Sequence, residues 1–491
     1  MARSNLACGY AGLATAITFI FQQPSTLQGL CRDAAASDQE AFYAMRTFVF
    51  MDAVGTYDQD FWQLDAVQAA QTYPAVWHAA FAFTEKYRSN RYHKVDHKKG
   101  LYYQILAEEH HGHTVRSVRD VVGQSAISSA ESSAVLLSSI LLLGFNCLTD
   151  DAAMKRVHLR SAFEVFDQLE SLESSMAQSV PGSVVRHSGV VRQVPRFRSQ
   201  CSISSIPTIS NSPVNWYVIS DCDSFMSLTD AYDESLQLGV PCSQAIRAAA
   251  AAVETDHPVP EIIYICRLQF KKLKSKFLAF LQSRFSEDAN EEGLLSLQIW
   301  SLAMELLLFL RRRRGIEAEL EYDAWAPVFE KQAALAEKLH GVLKRLAAAR
   351  QPMLPLQPFS FTSSAAAMLL SVARYRNGSV RGKVASILRE WLSQDGMIHS
   401  GTAAAMMEAR TQVEEEGFLL QGAARPEDCK CMAPEYIGAL HRCHRHRLEH
   451  TSPGRAILYM YFWPSWRAPL DLVERAVPIS WQPDGPYHAG Q

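Results

Sequence analysis

Thiols and imidazoles gather near the C-terminal end of the chain: Cys429, Cys431, His441, Cys443, His444, His446 and His450. These are the side-chain types that hold zinc, and Cys429, Cys431, His441 and Cys443 form the candidate ligand set. Their order is Cys-x-Cys, nine residues, then His-x-Cys-His, which departs from the usual ligand spacings of structural zinc sites. The plainer reading is a basic, solvated helix carrying incidental cysteines.

A second imidazole group, His93, His97, His110, His111 and His113, sits among Lys94, Lys98 and Lys99, with Asp96, Glu108 and Glu109 nearby. His93 and His97 are four residues apart, the spacing of one helical turn, so with a carboxylate they could share a metal. No Glu stands between them in the pattern of metalloprotease helices, and a solvated polar face is the simpler reading. Arg311, Arg312, Arg313 and Arg314 follow an apolar stretch. Cations there suit a helix C-terminus, and the run is also a candidate nuclear import patch. The sequence has no Gly-x-Ser-x-Gly nucleophile elbow and no phosphate-cradling glycine loop before a helix. No catalytic residue and no cofactor is assigned.

The elements that would position these residues read as helices. Phe42, Met45, Phe48 and Val49 form one apolar stripe, and Val76, Ala80 and Phe83 form another just after Pro74, a residue suited to a first helical turn. Val135 to Cys147 is apolar nearly all round and is expected inside the molecule. Asp150 and Asp151 mark the start of an amphipathic helix over 158–169. Residues 171–213, rich in Ser, Val, Pro and Arg without a sustained period, read as a long loop or disordered insertion. Helical pattern returns before Val253 and continues over 262–285, 294–314 and 325–349. After Pro352, Pro355 and Pro358 it resumes over 365–375, 380–392 and 402–416. No fixed-period repeat is visible.

Composition bounds what these helices can do. The chain has 491 residues, 48% of them hydrophobic, enough for a large core, and a net charge of −3 that offers no global basic field to nucleic acid or anionic lipid. Ten scattered cysteines fit a reducing compartment. The apolar stretch from Leu6 to Phe21 lacks small residues before a cleavage point and is not read as a secretory signal. Leu294 to Leu310, interrupted by Gln298 and Glu305, is short for a bilayer and reads as a core helix. No membrane association is expected.

Four stretches resemble the fungus-specific transcription factor domain that follows a binuclear zinc cluster in many metabolic regulators. The first is Asp60, Phe61 and Trp62 with Pro74, Ala75, Val76 and the helix to Tyr87. The second is Leu136 to Cys147 with His158, Leu159, Arg160 and Ser161. The third is Tyr322 and Asp323 with the helix beyond. The longest starts at Phe359 and Phe361 and runs through Leu369, Val372, Ala373, Arg374 and Arg376. It continues through Val380, Arg381, Ala385, Leu388, Glu390 and Trp391, and closes at Glu414 to Gly417.

The resemblance implies an all-α, multi-helix bundle over about 40–420. Its parts are an N-terminal segment (1–39), a first helical part (40–170), the insertion (171–213), a second helical part (214–425) and a His/Cys-containing segment (426–491). It implies a nuclear regulator of transcription in fungal metabolism. Its partner would be another transcription regulator or a second copy, and a small-molecule effector could also bind. The family's six paired cysteines are missing: Cys8 and Cys31 stand alone, and no Cys-x-x-Cys occurs anywhere. No direct DNA binding is therefore expected from this chain; either the module was lost or its coding segment lies upstream. The rival expectation is a helical enzyme of fungal secondary metabolism that reuses the scaffold.

Overall fold

The computed structural model describes residues 36–50, 61–93, 95–123, 128–149, 218–220, 223–254, 260–283, 290–310, 317–349, 359–360, 365–391, 394–395, 398–420, 441–452, 454–462 and 472–481, with a few single positions between them. The fold is mostly helical. The 171–213 insertion lies outside the described residues apart from Val190, and so does most of the helix expected over 158–169.

The first half is built from α1 (Ala36–Ala44), a π-helical turn (Met45–Val49), a second one (Phe61–Asp65), α2 (Ala66–Thr72), α3 (Pro74–Tyr92), α4 (His97–Val122) and α5 (Ser129–Thr149). Local chemistry sets the starts. Pro74 occupies the first turn of α3, where a missing N–H costs nothing. Asp96 caps α4 by accepting from the Lys99 amide at 3.1 Å. Ser128 and Glu131 exchange bonds in a capping box before α5: the Glu131 amide donates to Ser128 Oγ at 3.2 Å and the Ser128 amide to Glu131 Oε2 at 2.9 Å.

Around α3 and α5 lies the smaller core, which includes Phe50, Trp62, Trp77, Phe81, Phe83, Leu137 and Leu141. The α5 span is long and apolar enough to cross a membrane, but 83% of it is buried within the protein. Its polar side chains turn back on their own helix, Ser138 Oγ donating to the Ala134 carbonyl and Ser139 Oγ to that of Val135.

The larger core belongs to the second half: α6 (Leu228–Glu254), α7 (Ile262–Leu281), α8 (Glu291–Phe309), α9 (Glu317–Glu321), a 3₁₀ turn (Tyr322–Trp325), α10 (Ala326–Ala349), α11 (Ala365–Leu369), a 3₁₀ turn (Leu370–Arg374), α12 (Gly378–Trp391) and α13 (Ser400–Leu420). The expected core helix over 294–310 is α8, with Leu295, Leu297, Ile299, Trp300, Leu306 and Leu308 buried. Tyr57 belongs to this core although in sequence it lies between Phe50 and Phe61 of the smaller one. Its ring stacks on Tyr232 at 3.8 Å, and its hydroxyl donates to the Gly293 carbonyl at 2.7 Å.

Two small sheets depart from an all-helical expectation. In the first, β1 (Phe359–Ser360) pairs parallel with β2 (Gln394–Asp395), which pairs antiparallel with β3 (Ile398–His399). The second is an antiparallel meander of β4 (Arg445–Ser452), β5 (Arg455–Phe462) and β6 (Val473–Ser480). Residues 445–450, read from sequence as a basic solvated helix, are a strand instead. Gly454, with φ of 70°, turns the chain between β4 and β5, a left-handed conformation suited to glycine. β5 buries Ala456, Leu458 and Met460 against Ala405, Met406 and Val413 of α13, with Ile479 and Trp481 from the β6 end. Sequence pattern missed these strands because Ile457, Tyr459 and Tyr461, on the opposite face, are also apolar and mask the two-residue period.

Candidate functional site

One side of the larger core is open. Between α7, α8 and the segment from α9 to the start of α10 lies a groove of about 1190 Å³. Phe270, Lys271, Lys274, Ser275 and Leu278 line it from α7, Glu305 and Phe309 from α8, and Leu320, Trp325 and Val328 from the far side. The α7 sequence supplies these positions because its apolar residues exceed one buried face: Phe270, Leu273, Phe277 and Phe280 are buried, while Tyr264, Leu268 and Leu278 stay exposed. Lys274 pairs with Glu305 at 2.6 Å across the groove. Lys271 is exposed and lies 5.6 Å from the Phe309 ring, within reach of a cation–π contact. Arg267 donates to the carbonyls of Leu308 and Leu310, at 2.7 and 3.2 Å, closing the C-terminal end of α8.

Behind the far wall runs a buried chain of charges. Leu320 and Glu321 of α9 line the groove, whereas Glu319, only 1% exposed, accepts from His444 Nδ1 at 3.1 Å and lies 3.8 Å from Arg374. Burial alone would raise the Glu319 carboxyl, but the His444 bond and the Arg374 and Arg410 charges hold it below the ordinary carboxylate range. In the next turn Asp323 accepts from Arg376 and, at 2.8 Å, from Arg442. Burial raises its carboxyl to about 6, even against the attraction of Arg442.

Further from the groove, Glu414 of α13 takes bonds from Arg381, from Arg410 at 2.9 Å and from the Cys443 amide at 2.8 Å, and Arg410 also donates to the Cys443 carbonyl. Burial works against the charge on Arg410, and adjacent Glu414 more than offsets it, so the guanidinium stays ionised. The groove wall, the approach to β4 and α13 are thus joined by a set of ion pairs and hydrogen bonds.

Two of the four candidate zinc ligands fall in this region. His441 and Cys443 are buried at the approach to β4, while Cys429 and Cys431 lie outside the described residues. The Cys443 thiol donates to the Arg445 carbonyl at 3.0 Å, and burial pushes it up from its ordinary value, so it is held as a thiol. Arg311 to Arg314 also lie outside the described residues; α8 ends at Phe309.

The other imidazole group is divided. His93 ends α3 and His97 begins α4, so the two are not on one helix, as their spacing implied, but face each other across a turn with ring centroids 4.3 Å apart. His110 instead meets His78 of α3, Nδ1 to Nδ1 at 3.0 Å, and His113 stacks on His78 at 4.8 Å. His78 was not singled out from sequence, because only the packing of α3 on α4 brings it to the others. Among the described residues no group of three or more His, Cys, Asp or Glu side chains is arranged to hold a metal ion.

The groove's residues were likewise not legible one by one: they come from three separated stretches and share no motif. Chemically the groove offers apolar walls, one lysine without a carboxylate partner among the described residues, and Ser275, a hydroxyl with no hydrogen-bonded base there. Its apolar lining suits the binding of a partner or ligand. Compared with protein-family models, with curated proteins and with solved structures, the chain gives no match.

Proposed function

We propose that the chain is a nuclear regulator of transcription in fungal metabolism, which acts by association through its helical domain. The observation that carries the reading is the open groove between α7, α8 and α10, whose apolar lining offers area for a partner or a small effector but no nucleophile–base pair among the described residues. The ordered series of motifs from Phe359 to Gly417 supports the family assignment, and the helices over 365–391 and 400–420 agree in type with that series. The buried charges behind the wall give the groove a firm side, as a binding surface needs.

The test is genetic. Deleting the gene should change transcript levels across a set of metabolic genes, and the wild-type chain should restore them while Phe309→Arg, placed to charge the groove, should not. Unaltered transcripts together with loss of a metabolite would replace the regulator with an enzyme.

A further inference from the structure

We infer that the exposed face of α7, continuous with the groove, docks an amphipathic helix from a separate polypeptide, apolar along one side and acidic beside it. The inference rests on the association reading above and names the kind of partner. Tyr264, Leu268, Lys271, Ser275 and Leu278 follow one another at intervals of four, three, four and three, the spacing by which one helix seats against another. All five are exposed, Tyr264 by 57%, Leu268 by 66% and Leu278 by 51%. From Tyr264 to Leu278 the stripe is about 21 Å long at 1.5 Å per residue, roughly four turns of a docked helix and longer than a compact metabolite. At its Leu278 end the stripe becomes one side of the groove, where Leu320, Trp325 and Val328 stand opposite. The occupant would thus meet apolar surface on two sides.

Charge selects among the possible occupants. Along α7 stand Arg267, Lys271, Lys272, Lys274 and Lys276 and no carboxylate at all. Glu305 matches Lys274 and Glu234 matches Lys276. Arg267 spends its bonds on neutral carbonyls, and Lys271 lies in the stripe itself. A second copy packing α7 on α7 would bring these cations together, which disfavours it. A flat bilayer could not enter the groove between α7, α8 and the α9–α10 wall. A helix with carboxylates beside its apolar stripe can pair one with exposed Lys271 and fills the concavity.

The test uses the full chain and a labelled synthetic helix of ~18 residues with Leu at alternating three- and four-residue steps and Glu beside them, chosen to match the stripe. Two controls carry Lys in place of Glu, or the same composition scrambled. Fluorescence anisotropy should show micromolar binding of the acidic helix alone. Lys271→Glu should weaken it about tenfold and Leu268→Glu should abolish it. Circular dichroism should remain that of the wild type, since both side chains are exposed. Equal binding of the basic or scrambled peptide, or no effect of either substitution, overturns the inference. So does a concentration-dependent dimer that Leu268→Glu dissolves, which assigns the face to a second copy. Stripe-dependent binding to phosphatidylserine vesicles in place of the peptide assigns it to a membrane. Any of these results alongside the expected transcript change removes the acidic-helix partner while leaving the regulatory reading intact.

Discussion

Glu319 and His444, 125 residues apart, meet at 3.1 Å behind the groove wall, the carboxylate buried in α9 and the imidazole at the threshold of β4. α9 has five residues, too few to be stable by itself, so its position depends on such contacts. Glu319→Gln removes the charge that faces Arg374 and Arg410 and is expected to cost about 1–3 kcal/mol. Hydrogen exchange checks it: amides over 317–325 should exchange faster than in the wild type while those of α5 keep their rates. Uniform rates throughout would show that the contact does not hold the wall.

Glu414 gathers Arg381 and Arg410 in a site where all three side chains are nearly inaccessible to water. Removing the carboxylate leaves two buried guanidinium groups facing each other, and Glu414→Ala should destabilise the fold by about 3–5 kcal/mol in denaturant unfolding. A shift smaller than about 1 kcal/mol would mean that water reaches these groups.

Acid should loosen the first helical part. Burial, with His110, His113 and Arg116 close by, lowers His78 to about 4, and burial lowers His158 similarly, against an ordinary value of 6.5. In that interval the unfolded chain binds protons that the folded chain refuses, so this contribution is whole above pH 6.5 and is lost as pH falls towards 4. Glu85 has the opposite sign. Burial raises it to about 7 despite Arg88, so its contribution declines as pH rises from about 4.5 to 7. Melting curves between pH 7 and 5 should show the wild type losing more stability than His78→Gln. Parallel curves would place His78 in a more hydrated site.

Gly100, in the first turn of α4, lies against the end of α3. A Cβ there would come within 2.6 Å of the His93 Cα, so backbone itself would have to move. Gly100→Ala should therefore destabilise by about 1–3 kcal/mol, although alanine is the better helix former. A stability equal to or above the wild type would show that the α3–α4 pair separates without cost.

Helix content was legible because its signals are local. Pro74 sits at a helix start, and the periods read over 262–285, 325–349 and 380–392, which the structure bounds at 262–281, 326–349 and 378–391, need no distant partner to be recognised. The same local rule failed for 445–462, where charged β4 residues face water and β5 is apolar on both sides. Only pairing with β6 and packing on α13 made a sheet of them.

The amino-acid sequence alone thus determined a mostly helical chain, the buried character of the helices over 135–147 and 294–310, and the absence of paired cysteines for a zinc cluster. Tertiary structure decided everything that joins distant residues. It set Lys271 opposite Trp325, His78 beside His110 and Glu319 against His444, because a groove, a ring pair and a buried hydrogen bond are made by packing and carry no period of their own.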